Sequence, residues 1–151
     1  MINPSYISGY VDGEGSFFIS FSLREKFSLG IEVRPTFSIS QRRDRSEVLR
    51  LIKSYFGCGS IRTSRRDGTL RYEVRSIKDL REKIIPHFER YALLSSKRKE
   101  FKYFSLVCSM ISDKKHLTKK GLIKIIDLIT LMNVGGSRRY SKEYLLSRLK
   151  I

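Results

Sequence analysis

The sequence predicts an α+β fold in the order αββαββα, with an antiparallel sheet and extra helices at the C-terminal end. Three observations carry that prediction. Two stretches alternate apolar with polar residues and fold back at a turn. Helical patterns precede, separate and follow them, and beyond about residue 112 the pattern is helical only. The 151 residues suffice for one domain, 1–151, with a core over about 4–112 and C-terminal helices over about 117–151.

The elements follow in order. Asn3-Pro4 reads as an N-cap with proline at the first helical position, opening a short helix to about Asp12 that ends in Gly13-Glu14-Gly15. From Ser16 the period is two: Phe17, Ile19, Phe21 and Leu23 share one face, while Ser16, Phe18, Ser20, Ser22 and Arg24 share the other. After a turn over 25–30, Ile31, Val33, Phe37 and Ile39 face inward, and Glu32, Arg34, Thr36, Ser38 and Ser40 outward. Pro35 cannot donate to a ladder and predicts an edge or a bulge. Asp44 with Glu47 resembles a capping box for a helix through Phe56, stopped by Gly57. In the second hairpin Ile61 and Thr63 oppose Arg62 and Ser64. Arg66-Asp67-Gly68 makes its turn, and Leu70, Tyr72 and Val74 alternate with Arg71, Glu73 and Arg75. Ser76 and Asp79 cap a third helix, interrupted near Pro86. Ser95 or Ser96 opens a long helix with the stripe Phe101, Phe104, Val107, Cys108 and Ile111. A basic loop over 114–120, a helix from Thr118 to Met132, a break at Gly135-Gly136 and a last helix capped by Ser141 complete the chain.

Charge narrows the function. Lys and Arg number 31 against 15 Asp and Glu, a net +16 that a polyanion relieves. The cations are dispersed through strands, turns and helices rather than gathered into a polybasic block, which favours nucleic acid over a membrane surface. No apolar run is long enough to span a bilayer, and MINPSYISGY shows no secretory signal, so an intracellular protein is expected. Cys58 and Cys108 are too few for a disulfide framework or a zinc site. There is no P-loop, dinucleotide fingerprint or Ser-His-Asp order, so no small-molecule cofactor is expected, and neither His87 nor His116 has a metal-ligand spacing. On the outward sheet face Arg24, Arg34, Arg62, Arg71 and Arg75 stand among hydroxyls, suited to phosphates and base edges in a major groove.

The acids are few enough to audit singly. Asp44, Glu47 and Asp79 have capping explanations, Asp67 a turn, and Glu82, Glu89, Glu100 and Asp127 sit on cation-rich helices. Glu14 has none of these. It lies between two glycines at a helix-to-strand junction, where a carboxylate beside a backbone carbonyl fits a hard Mg²⁺ site aimed at a phosphate.

The segment Ile7-Ser8-Gly9-Tyr10-Val11-Asp12-Gly13-Glu14-Gly15-Ser16 resembles the signature of the LAGLIDADG homing endonucleases, and the element order over about 4–112 resembles their repeating unit. Ile7 and Ser8 stand for the nominal Leu and Ala, and Glu14 for the final Asp. The resemblance implies a saddle-shaped sheet reading double-stranded DNA through Ser20, Ser22, Arg24, Glu32, Arg34, Thr36, Ser38, Ser40, Arg62, Ser64, Arg71, Glu73 and Arg75. It implies metal held by Glu14 and the Gly13 carbonyl, with Gln41 positioning water and Arg45 near the cleaved phosphate. Lys97, with Lys99 as a rival, would orient water or stabilise charge. Only one copy of the motif occurs in 151 residues, which resembles the homodimeric single-motif branch. Small residues Ser8 and Gly9 would let two motif helices pack across a two-fold axis, with Asp12 also at that dimer interface, as a structural cap of the motif-helix junction rather than a ligand. The activity so implied is Mg²⁺-dependent double-strand cleavage at a long pseudo-palindromic target, leaving 3′ overhangs and serving intron mobility. The host compartment stays open among chloroplast, mitochondrion and prokaryotic cytoplasm. Two alternatives are kept: a non-catalytic binder on this scaffold, either an intron RNA maturase or a DNA-binding regulator, and a ribosomal-type RNA-binding protein.

Overall fold

The computed structural model describes residues 1–132 and 139–150, so the expected break at Gly135-Gly136 lies outside the described residues. Helix α1 (Pro4–Glu14) is capped as expected, the Asn3 side chain accepting from the Ser5 amide at 2.8 Å. It runs without a loop into β1 (Gly15–Leu23), which pairs antiparallel with β2 (Ile31–Gln41). After a one-turn helix (Arg43–Arg45) come α2 (Glu47–Phe56), β3 (Ser60–Thr63) and β4 (Leu70–Val74). The two hairpins join through β2 and β4, giving one antiparallel sheet in the order β1-β2-β4-β3.

That join explains Pro35. The β2–β4 ladder begins only at Phe37, so Pro35 sits where β2 has no neighbour on that side and breaks no bond there. β2 is central at one end and an edge at the other.

Helical turns α3 (Ile77–Asp79) and α4 (Ile85–Arg90) flank a π turn over Leu80–Ile84. Pro86 therefore does not break the helix. Its missing N–H and bulky ring are accommodated by the widened turn just before it. The long α5 (Lys97–Ser112) is followed by a one-turn helix (Lys115–Leu117), α6 (Lys119–Met132) and α7 (Lys142–Ser147). Local caps hold as expected for Ser76, Thr118 and Ser141, whose side chains accept from the amides of Asp79, Gly121 and Tyr144.

The Asp44–Glu47 capping box is corrected. Ser46 is the N-cap of α2 with no side-chain bond to it, and its hydroxyl donates instead to the Arg43 carbonyl at 2.9 Å. Asp44 turns back to the Arg42 guanidinium at 3.4 Å, a charged partner two residues away that outcompetes an exposed amide.

The helices cover the apolar sheet face. Phe17 packs at 5.1–5.4 Å between ring centroids against Phe37, Phe88, Phe101 and Phe104, bringing β1, β2, α4 and α5 together. A second cluster, Ile31, Leu122, Ile126 and Leu145, lets α6 and α7 cover the far half of the β1–β2 hairpin. The extra C-terminal helices thus bury a hairpin end that α1–α5 do not reach. Among the described residues no helix is long and apolar enough to cross a membrane.

Candidate functional site

Two features meet at the end of α1: a polar sheet face and an acidic junction. The face is built by register. Ser16–Ser38–Glu73–Ser60 forms one row across all four strands, and Ser40–Arg71–Arg62 forms the next across three. Glu32 takes Arg34 at 2.8 Å and lies 3.9 Å from Arg24, while Glu73 takes Arg75 at 2.9 Å. Arg62 and Arg71 are left directly opposite one another, and among the described residues neither has an ion-pair partner. Like charges opposed across strands are destabilising, and an anion between them removes the cost. Arg71 also lies over the Phe18 ring at 5.7 Å and reaches the Ser38 hydroxyl at 3.5 Å.

Several face residues are less open than the alternation implies. Thr36 and Ser38 are each 1% exposed and Glu73 is 7% exposed; Ser38 and Glu73 sit on inner strands beneath Arg71 and Arg75. Ser20, Ser22, Ser40, Glu32 and Arg34 are half-buried, and Arg24, Arg62, Arg71 and Arg75 line the open side of the face. Ser64 belongs to the turn beyond β3, its hydroxyl accepting from the Arg66 amide at 3.3 Å. The surface open to a partner is therefore the arginines over a buried polar floor.

The acidic junction is built by α1 running straight into β1. A Cβ on Gly15 would stand 2.5 Å from Val11 Cγ1, so only glycine lets the strand leave the helix this closely. Asp12 and Glu14 then diverge. The Asp12 carboxylate accepts from the Leu94 amide (2.8 Å), the Ser95 amide (3.2 Å) and the Ser95 hydroxyl (2.7 Å). Burial raises its carboxyl pKa, but those amides, the hydroxyl and the Lys97 charge outweigh that and hold it below the ordinary 3.8. Asp12 is thus a strut to the start of α5. Its carboxylate, expected at a dimer interface, is engaged within its own chain.

Glu14 is exposed, and among the described residues no group bonds its carboxylate. Lys97 Nζ donates to the carbonyls of Val11 (2.9 Å) and Asp12 (3.1 Å), a cation at the negative end of the α1 dipole that keeps one N–H free. Gln41, at the end of β2, donates from Nε2 to the Tyr10 hydroxyl at 2.9 Å and accepts from the Arg42 amide. Tyr10 was not singled out from sequence; it lies one helical turn before Glu14, and that spacing is the signal that could have found it. Arg45 is exposed on the one-turn helix that follows β2. The fold thus brings Lys97 onto the carbonyl end of the helix that ends at Glu14, and Gln41 onto that helix one turn earlier.

Gly13 and Glu14 offer one carbonyl and one carboxylate, the hard oxygen donors that Mg²⁺ takes. Among the described residues no group of three His, Cys, Asp or Glu could hold a metal ion.

Ser8 is corrected. It is 4% exposed and faces inward, donating to the Tyr91 carbonyl at 2.6 Å and lying 3.2 Å from His87 Nε2. With its one proton on Tyr91, Ser8 accepts from Nε2, and His87 Nδ1 then accepts from the Tyr55 hydroxyl at 3.0 Å. The outward face of α1 is instead Ser5, Tyr6, Gly9 and Gly13, all exposed, with open space around both glycines.

Burial pushes the His87 imidazole down to about 4 from 6.5. The unfolded chain takes up that proton near pH 6.5 and the folded chain only near 4, so the stability is complete above 6.5 and drains away as pH falls through the window. The loss reaches up to about 1.4 kcal/mol per pH unit. Thermal unfolding between pH 7 and 4.5 is expected to fall more steeply for the parent than for His87→Gln, and equal slopes would refute it.

Comparison with known proteins gives a consistent answer. Residues 7–108 match the family model described as LAGLIDADG endonuclease. Probable intron-encoded endonuclease 3 of Neurospora crassa is 35% identical over 144 residues, which is 95% of this chain and 27% of that protein. This chain spans 26–32% of the length of the first curated relatives it matches. Among solved structures, a homing endonuclease, I-TnaI, superposes with a TM-score of 0.85 at 33% identity, covering 97% of this chain and 95% of that one. I-SmaMI bound to an uncleaved DNA target in the presence of calcium ions superposes with a TM-score of 0.86 at 33% identity, covering 91% of this chain and 47% of that one.

Proposed function

Because the chain belongs to the LAGLIDADG endonuclease family, we propose that residues 1–151 form one subunit of a homodimeric, site-specific double-strand DNA endonuclease using Mg²⁺. The observation that carries this reading is the acid without a partner. Asp12 and Lys97 are bonded within the chain, whereas the Glu14 carboxylate stands exposed at the helix end. A protein that only bound nucleic acid would gain nothing from a bare carboxylate facing phosphates.

The Gly13 carbonyl and the Glu14 carboxylate are fewer oxygens than a hard cation takes, and a second copy of the chain would add to them. The open face of α1, with Gly9 and Gly13 clear of any neighbour, lets a second α1 approach closely across a two-fold axis and brings two Glu14 residues together. The coverage supports this: the match spans under half of the DNA-bound chain, leaving room there for another such unit. Glu14 and the Gly13 carbonyl would hold the cation, which when bound polarises a phosphate and acidifies water. Gln41 keeps one amide N–H and one lone pair free to orient water, and Lys97 keeps one N–H free to face developing negative charge. Arg45 supplies a further cation on the phosphate side. The arginine face reads each half of a pseudo-symmetric target in the major groove. Its relatives' names are intron-encoded endonucleases, which supports a role in intron mobility.

Incubation with a plasmid library and Mg²⁺ is expected to yield discrete double-strand cuts at pseudo-palindromic sites. Binding to those sites should weaken steeply between low and moderate salt. Intact plasmids with every divalent metal tried would overturn the enzyme reading, and a flat salt dependence would remove DNA as the partner.

A further inference from the structure

The basic segment after α5 is held in place by its own backbone. Lys114 takes φ +58°, a left-handed conformation rare for a non-glycine residue, and reverses the chain out of α5. The Thr118 hydroxyl donates to the Lys115 carbonyl at 3.0 Å while accepting from the Gly121 amide at 3.0 Å. A Cβ on Gly121 would stand 1.9 Å from the Lys115 carbonyl oxygen, so the one-turn helix and the start of α6 are in direct contact. A merely solvated lysine loop needs none of this.

Its position is equally specific. His116 and Leu117 share a cavity with Phe27, Leu29, Glu32 and Arg34, so the segment lies against the half of β2 that has no β4 neighbour. That is the outer end of the first hairpin. At about 3.3 Å per residue, the nine residues of β1 carry it roughly 25–30 Å from Glu14. Lys114, Lys115, Lys119 and Lys120 are exposed there, and among the described residues none has an acidic side chain within ion-pair distance.

We propose that residues 114–120 form a second, sequence-independent DNA contact, a wing that grips duplex phosphates on the outer flank of each half-site, beside the hairpin-end arginines Arg24 and Arg34. The proposal rests on the endonuclease reading above. Lysine is a point charge without the bidentate fork, suited to phosphates rather than base edges.

The test compares the parent, K115Q/K119Q/K120Q and K115R/K119R/K120R on two duplexes. One ends at the outermost base-specific position of the cleavage site; the other extends one helical turn further at each end. On the long duplex the Gln triple is expected to bind at least about tenfold more weakly. Its log–log salt slope should be shallower by about 0.9 for each phosphate that a lysine no longer neutralises. On the short duplex it should match the parent, its preference for cognate over scrambled sequence should persist, and the Arg triple should behave as the parent on both. A Gln triple equal to the parent on the long duplex, or equally weakened on both, overturns the wing while leaving the endonuclease standing. A parent that binds neither duplex overturns both.

Discussion

Replacing Glu14 with Gln is expected to lower cleavage by at least about 10³-fold, the several kcal/mol that a phosphate-polarising cation supplies to a transition state. Duplex binding should stay near the parent value. The carboxylate is exposed and bonded to nothing among the described residues, so its loss leaves core and caps untouched, and stability should change by less than about 0.5 kcal/mol. The amide is nearly isosteric but cannot offer the charge a hard cation requires. Binding falls to the arginine face, which the substitution does not reach. Single-turnover cleavage and equilibrium binding on the same duplex make the comparison. Normal cutting by the variant would mean that the reacting centre lies elsewhere.

The second large effect separates fold from assembly. Gly9 lies mid-helix, exposed and with nothing within 4 Å of an added Cβ, so Gly9→Leu starts from open space on its own chain. Helix propensity favours the change by up to about 1 kcal/mol, so the monomer should melt no lower than the parent. Against a second α1 the same side chain is an obstacle met twice, once from each subunit. At about 1–3 kcal/mol for each overpacked side chain, the dimer constant weakens by about 30-fold or more. Sedimentation with and without cognate duplex, beside the cutting rate, is expected to show monomers that fold and do not cut. A Gly9→Leu protein that still pairs and cuts would remove α1 as the two-fold contact. The contrast with Ser8 is instructive, since Ser8→Leu would strike Tyr91 and His87 and unfold the chain.

What was legible in the sequence is what neighbouring residues decide between themselves. The period of two from Phe17 to Leu23 and the caps at Asn3, Ser76, Thr118 and Ser141 depend on groups a few positions apart, and each stands as read. Such features are governed by backbone sterics and short-range hydrogen bonds that survive any packing. The capping box at Asp44 shows the limit even there, because Arg42 offered the carboxylate a stronger charged partner than an amide.

Tertiary structure decided the rest, and the common reason is distance along the chain. Ser8 and Gly9 are adjacent small residues, about 100° apart around a helix; which one faces out depends on where Tyr91 and His87 come to lie. Asp12 is engaged by amides 82 and 83 residues later. The pairing of β2 with β4 fixed how the two hairpins join in one sheet, freed the outer half of β2 beside residues 114–120, and buried Ser38 and Glu73 beneath Arg71 and Arg75. A local pattern specifies which faces of an element are apolar. Only the global packing, in which every apolar face competes for the same core, settles what each polar face will meet.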